Sequence, residues 1–239
     1  MPANKPKKEP SLERRAQRQA ERRSRTKQMS CRILIVCEGE KTEPTYFEAF
    51  KTISNGSFVY DVESQGFGLN TLGVVNKAIE LRDKAQTPYD AVWVVFDKDS
   101  FPPYDFDNAI AKAQAQSIGV AWSNEAFELW YLLHFHRRIT PMSREEYKKA
   151  LSDAVNARKK SKGYVYQKND KQNYNIMTTY GSQEDAIINA EALCEQFTGA
   201  ATYHSHNPCT TVHKLVLQLL NRDQDLIKAV MEKIYPEKE

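Results

Sequence analysis

Cys31-Arg32-Ile33-Leu34-Ile35-Val36-Cys37-Glu38-Gly39 and Ala91-Val92-Trp93-Val94-Val95-Phe96-Asp97-Lys98-Asp99-Ser100 are two short runs, apolar at nearly every position and closed by acid. Both are rich in β-branched and aromatic residues, the composition of a strand buried on both faces of a parallel sheet. Two such strands deliver their carboxylates to one edge of the sheet. In open α/β sheets the carboxyl ends of the strands border the crevice where ligands bind, so chemistry is expected there. Side chains alternate along a strand, so Asp97 and Asp99 share a side and Lys98 points away. A pair of carboxylates on one side is a hard-oxygen site suited to Mg²⁺ or Mn²⁺.

Working outward, Gly39 permits a sharp turn, and Thr42-Glu43-Pro44 reads as a helix start with a hydroxyl cap and a proline in the first turn. Tyr46, Phe47, Phe50 and Ile53 give that helix an apolar face. A second strand spans Phe58 to Glu63, and a helix with Leu72, Val75, Ala78 and Ile79 on one face runs to about Lys84. After the third strand, Pro102-Pro103 precedes a helix from Phe106 to Ser117, a fourth strand from Gly119 to Asn124 and an apolar helix from Glu125 to His136. This alternation predicts a layered α/β unit with a mainly parallel, four-stranded sheet flanked by helices. From Met142 the character changes. Ser143-Arg144-Glu145-Glu146 is a capping box opening a helix to about Lys159. Residues 160 to 182 show no period, and helices are expected over Gln183 to Phe197 and Thr210 to Met231.

The 239 residues carry a net charge of +3, unevenly spread. Residues 1–30 hold ten bases against three acids, a net of +7, which leaves the rest near −4. In this arm Arg14, Arg18 and Arg22 repeat at i, i+4, where like charges repel, so the arm is expected to be frayed or disordered alone. It reads either as an arm ordering on a nucleic-acid backbone or as a solvated tail. Lys160, Lys162 and Lys168 interleave with Tyr164, Tyr166 and Tyr174, a mixture that suits base stacking and phosphate contact, or else a solvated lid. Cys31, Cys37, Cys194 and Cys209 lack zinc spacing or a disulfide framework and read as small apolar fillers in a reducing compartment. His204 and His206 have no companion ligand at zinc spacing. No run approaches the ~20 apolar residues of a membrane span, so a soluble, cytoplasmic protein is expected.

The strings 33–44, Val95-Phe96-Asp97-Lys98-Asp99, Ser123-Asn124-Glu125-Ala126-Phe127-Glu128-Leu129-Trp130 and Asn207-Pro208-Cys209-Thr210-Thr211-Val212-His213-Lys214-Leu215-Val216 resemble the RloB family. Strand-Glu-Gly followed by Asp-x-Asp at a later strand end also resembles the TOPRIM domain of topoisomerases, primases and several nucleases. The resemblance covers almost the whole chain after the arm. The chain is expected to divide into a basic arm over 1–30, a core over 31–140 and a helical extension over 141–239 packing on that core, and the resemblance makes that core TOPRIM-like. It further implies a Mg²⁺- or Mn²⁺-dependent nuclease related to OLD-type enzymes, acting on RNA or DNA in antiphage defence or abortive infection, with an ABC-class ATPase encoded alongside. By the match Glu38 takes the general acid/base or metal-ligand role, and Asp97 and Asp99 hold the metal. The second glutamate falls on Glu40 or Glu43, since Glu43 stands one residue later than the usual Glu-Gly-x-x-Glu spacing. Glu128 resembles a further acidic position after the fourth strand.

Phosphodiester hydrolysis needs an activated water, a stabilised pentavalent phosphorus and a neutralised leaving oxygen, all within the means of one or two divalent ions. A base must hold the scissile phosphate, and Lys41, His213 and Lys214 are the candidates. The rival of another class is a non-catalytic TOPRIM-like module that binds nucleic acid or a partner protein. Keeping three core acids together argues against it. A HAD-type phosphatase places its Asp-x-Asp on the first strand, not the third.

Overall fold

The computed structural model describes residues 29–52, 58–99, 102–160, 163–197 and 202–234. The arm's Arg14, Arg18 and Arg22, and also Lys162, lie outside the described residues. The sheet is built from β1 (Met29–Cys37), β2 (Phe58–Gly66), β3 (Ala91–Asp97), β4 (Gly119–Asn124) and β5 (Cys209–Thr210). Its order is β2-β1-β3-β4-β5. The first four are parallel and β5 runs antiparallel to β4, pairing Thr210 with Ser123 and Cys209 with Asn124.

The expected four-stranded sheet therefore gains a fifth, two-residue edge strand, taken from a stretch expected to begin a helix. Thr211 explains it. Its backbone N–H donates to the Trp122 carbonyl (2.8 Å), and its hydroxyl accepts from Trp122 N–H (3.0 Å) and donates to the Val120 carbonyl (3.1 Å). Side chains thus substitute for a ladder too short to show any period.

Ile33, Leu34, Ile35, Val36 and Cys37 of β1 are all fully buried, as an apolar strand covered on both faces must be. The period of two sorts them between two cores. Ile33, Ile35 and Cys37 face one layer with Phe47, Trp130, Tyr147, Leu151 and Leu215. Leu34 and Val36 face the other, with Val74, Val94, Phe96, Phe106 and Ile110.

The first layer is made by α1 (Thr42–Glu48), which continues into a 3-10 turn over Ala49–Thr52. The second is made by α2 (Thr71–Lys84) and α3 (Pro103–Ala115). The first layer is completed by α4 (Glu128–Leu133), α5 (Arg144–Lys159), α6 (Asn173–Tyr180), α7 (Gln183–Cys194), α8 (Val212–Leu219) and α9 (Gln224–Ile234). Residues beyond 140 thus share the core of the sheet and supply one of its strands. Among the described residues no helix is long and apolar enough to cross a membrane.

Tertiary contacts override local signals in several places. The N-cap position of α1 is Lys41, with no side-chain cap, because the Thr42 hydroxyl donates instead to the Lys168 carbonyl (3.0 Å). The helix expected from Thr210 is split into β5, α8 and α9, with Asn221 in the left-handed region between the two helices. The segment without period contains α6. Its tyrosines are drawn inward: Tyr166 is buried, and the Tyr174 ring packs edge-on against Tyr46 and Phe50.

Candidate active site

Strand register brings the acids together. Cys37 lies opposite Val95 and Asp97 opposite Ser123, so β1, β3 and β4 end within a few residues of one another. Glu38 extends the pairing by one bond, from its N–H to the Val95 carbonyl (2.8 Å). Its Oε2 then accepts from the Asp97 N–H (3.1 Å), tying one strand-end acid to the next.

Glycine at position 39 leaves room for the Glu43 carboxyl, since a Cβ there would lie 2.2 Å from Glu43 Oε2 and the carboxyl would have to shift. Glycine thus allows Glu43, in the first turn of α1, to fold back over the loop. Glu40, the alternative to Glu43, is exposed and turns toward Gly68, where a Cβ would stand 3.0 Å from its Oε1.

Four segments contribute to the cluster. Glu38 and Glu43 come after β1, Asp97 ends β3, Asp99 lies just beyond it with φ of 42°, and Glu128 opens α4. Glu43, Asp97 and Glu128 are only 3%, 5% and 2% exposed. Glu128 Oε1 accepts from the Tyr166 hydroxyl (3.2 Å), while Oε2 of both Glu43 and Glu128 is buried without a partner.

For Glu38, Glu43 and Asp97, burial comes first in setting protonation, and repulsion from neighbouring acids adds to it. Burial pushes Glu38 up to about 7, against the Asp97 N–H, with Glu43 and Asp99 pushing the same way. Asp97 is held well above the carboxylate range by burial and then by Glu43 and Glu128. Glu43 is raised by burial and by Glu128, although its backbone N–H and the Lys168 charge oppose this.

One cation enters the cluster from the helical part of the chain. Arg144, the first residue of α5, places Nη2 3.4 Å from Asp97 Oδ2 and 3.2 Å from Asp99 Oδ2. Asp97 and Asp99 therefore do share a side, facing this guanidinium, and Lys98 instead turns its Nζ to the Asp99 carbonyl. Sequence reasoning missed Arg144 as a site residue. The capping-box string announces where its helix begins, and nothing local announces that the helix begins over the sheet edge.

Tyr166, a stacking candidate by its sequence surroundings, lies instead beneath the site, bonded to Glu128.

The remaining candidates scatter. Lys41 is exposed at the mouth of a cavity of about 280 Å³ that it lines with Gly39, Glu43, Lys168 and Asn169. Lys168 and Asn169 also line a neighbouring groove of about 760 Å³, with Lys148, Lys149 and Tyr166. Lys148 in that groove is paired with Glu145 (2.6 Å).

Lys160 caps the opposite end of α5 from Arg144, ~24 Å along the axis at 1.5 Å per residue. Lys214 is exposed on α8, whereas His213 is buried, and burial followed by the Lys214 charge lowers it to about 4. A neutral, buried imidazole offers no charge to a phosphate, so His213 does not suit the role expected of it. His204 bonds through Nδ1 to Asp107 (2.6 Å), and the His206 ring stacks on Phe197.

Among the described residues no three acidic, histidine or cysteine side chains stand as a group that encloses a metal ion as they are. The chemistry of the set nevertheless fits a hard divalent cation. Five carboxyl groups lie close enough to act on one another electrostatically, and two buried carboxylate oxygens lack any donor. Glu38, Glu43, Asp97, Asp99 and Glu128 are the residues that would hold it.

A family model described as RloB-like protein matches residues 33–219. No curated protein and no solved structure matches the chain.

Proposed function

The chain belongs to the RloB-like protein family, and we propose that it is a metal-dependent nuclease that hydrolyses phosphodiester bonds in RNA or DNA. The observation that carries this reading is the gathering of Glu38, Glu43, Asp97, Asp99 and Glu128 at the carboxyl edge of the sheet, three of them almost fully buried. A structural role alone gives no reason to bury carboxylate oxygens without donors, since each such group costs stability. Bound among these acids, Mg²⁺ or Mn²⁺ would act as a Lewis acid on the phosphoryl group and lower the pKa of water.

The chain's own groups divide the remaining work. Glu38, with a carboxyl pushed up to about 7, takes a proton from the attacking water near neutral pH. Asp97 and Asp99 supply hard-oxygen ligands, with Glu43 and Glu128 beside them. Lys41 and Lys168 line the adjoining cavity and bind the phosphate backbone. The groove carrying Lys148 and Lys149 continues from there and provides a track for a single strand. The TOPRIM relation, the defence setting, the cytoplasmic location and the ABC-class ATPase partner rest on the family resemblance, and we propose them with it.

The test is cleavage of a panel of labelled tRNA, single-stranded RNA, duplex DNA and supercoiled plasmid with Mg²⁺ or Mn²⁺, with and without the co-encoded ATPase. Cutting is expected to disappear in EDTA and in the Asp97→Ala/Asp99→Ala double variant. Tight nucleic-acid binding with no cutting under any of these conditions would favour a non-catalytic binding module.

A further inference from the structure

Arg144 stands where an incoming cation would have to go. Its Nη2 is 3.4 Å from Asp97 Oδ2 and 3.2 Å from Asp99 Oδ2, so a single nitrogen serves both carboxylates. An ion ligated by the same two oxygens would sit ~2.0 to 2.6 Å from each. On the face that Arg144 approaches, that position lies within the space the guanidinium now fills, and two cations so close repel strongly in a half-buried site. The two occupancies therefore exclude each other.

Three further features show how the exchange works. Ser143 and Glu146 form a reciprocal capping box, so the backbone that presents Arg144 is anchored independently of the acids. Arg144 Nε is buried without a partner, so the guanidinium is gripped through Nη2 and not as a two-pronged fork. The side chain is still 35% exposed and has an open route to solvent. A swing of this one side chain clears the pair while α5 stays in place.

We propose that Arg144 is a built-in counter-ion that competes with a divalent cation for Asp97 and Asp99. Without metal it bridges the two aspartates and holds the start of α5 against the sheet edge. When a cation arrives the guanidinium is displaced, leaving a free positive charge at the rim of the site, where the substrate of the proposed reaction is polyanionic. This inference rests on the metal-dependent reading above.

Calorimetric titration with Mn²⁺ alone tests it, comparing wild type with Arg144→Gln and Asp97→Asn/Asp99→Asn. Removing the competitor is expected to tighten Mn²⁺ binding by about ten- to a hundredfold, the usual range for coupled sites, and the double aspartate variant is expected not to bind. Wild-type binding with equal or weaker affinity in Arg144→Gln overturns the competition and leaves the metal reading intact. Absence of Mn²⁺ binding in both proteins overturns the two together.

A thermal melt separates competition from a merely structural role. Arg144→Gln is expected to melt below wild type without metal and to recover with Mn²⁺, because the ion takes over the bridging of Asp97 and Asp99. A deficit that Mn²⁺ leaves untouched overturns the proposal. Arg144→Lys, which keeps the charge on a different stem, is expected to fall between wild type and Arg144→Gln in affinity, and a folded Arg144→Lys protein with wild-type affinity is not expected.

Discussion

Glu38 shows how one residue's surroundings become a property of the whole protein. Its carboxyl is raised from 4.5 to about 7, chiefly by burial. Between those values the folded protein holds a proton that the unfolded chain has released, so this group favours folding on the acid side. The contribution is lost as pH rises through 7. His134 and His213 work the other way. Burial lowers both from 6.5 to about 4, so their contribution is present above 6.5 and is lost as pH falls toward 4. The Glu38→Gln variant separates the opposing trends, because its amide oxygen still accepts from the Asp97 N–H. Its unfolding free energy relative to wild type, without metal, is expected to rise steadily between pH 4.5 and 7, by on the order of 2 kcal/mol after allowing for partial solvent access. A difference independent of pH would show that Glu38 titrates normally. Glu38 was legible in the sequence because an apolar run that ends in acid is a local pattern. Arg144 was not, because its role depends on where a helix from another part of the chain begins in space.

Among the elements, α5 couples local helix chemistry most closely to the site. The Ser143 hydroxyl accepts from the Glu146 N–H (3.4 Å), and Glu146 Oε2 accepts from the Ser143 N–H (2.7 Å). The residue between this cap and the rest of the helix is Arg144. Ser143→Ala is therefore expected to cost about 1 kcal/mol in urea unfolding and also to loosen the guanidinium, tightening Mn²⁺ binding. Ser182 provides the control, since its hydroxyl caps α7 by accepting from the Asp185 N–H (3.1 Å), at the start of a different helix from the one that carries Arg144. Ser182→Ala is expected to cost a similar amount and leave Mn²⁺ affinity unchanged. Equal metal affinities for the two variants would disconnect the cap from the site. The α5 cap was readable because a capping box is written in four consecutive residues. The helix α6 was not. Its burial comes from Tyr174 against Tyr46 and Phe50 and from Met177, contacts made by residues remote in sequence. The two-residue β5 likewise takes its definition from Thr211 bonds to β4 and has no period of its own.

For the whole molecule, a sheet with two well-packed faces is combined with a carboxyl edge whose acids oppose one another. Apolar burial on both sides of β1 holds Glu38, Asp97 and their neighbours in place despite that repulsion, and the β1 and β3 runs predicted this arrangement because full burial on two faces leaves a continuous apolar string. A ligand that relieves the repulsion and binds only the folded chain must raise stability by mass action. At a free concentration about a hundred times its dissociation constant the gain is about 2.7 kcal/mol, or about 5 to 10 °C in melting temperature for a chain of this size. Mg²⁺ or Mn²⁺ is therefore expected to raise the wild-type melting temperature, while Asp97→Asn/Asp99→Asn melts at one temperature with or without the ion. The rise is expected to grow as pH increases through about 7, since Glu38 then loses its proton and adds a negative charge beside the ion. Calcium, a hard cation with longer bonds, controls for charge alone. A shift of the same size in wild type and the double variant would mean that the ion acts on the surface in general. In that case the acids at the sheet edge would be a strained feature of the fold and not a metal centre.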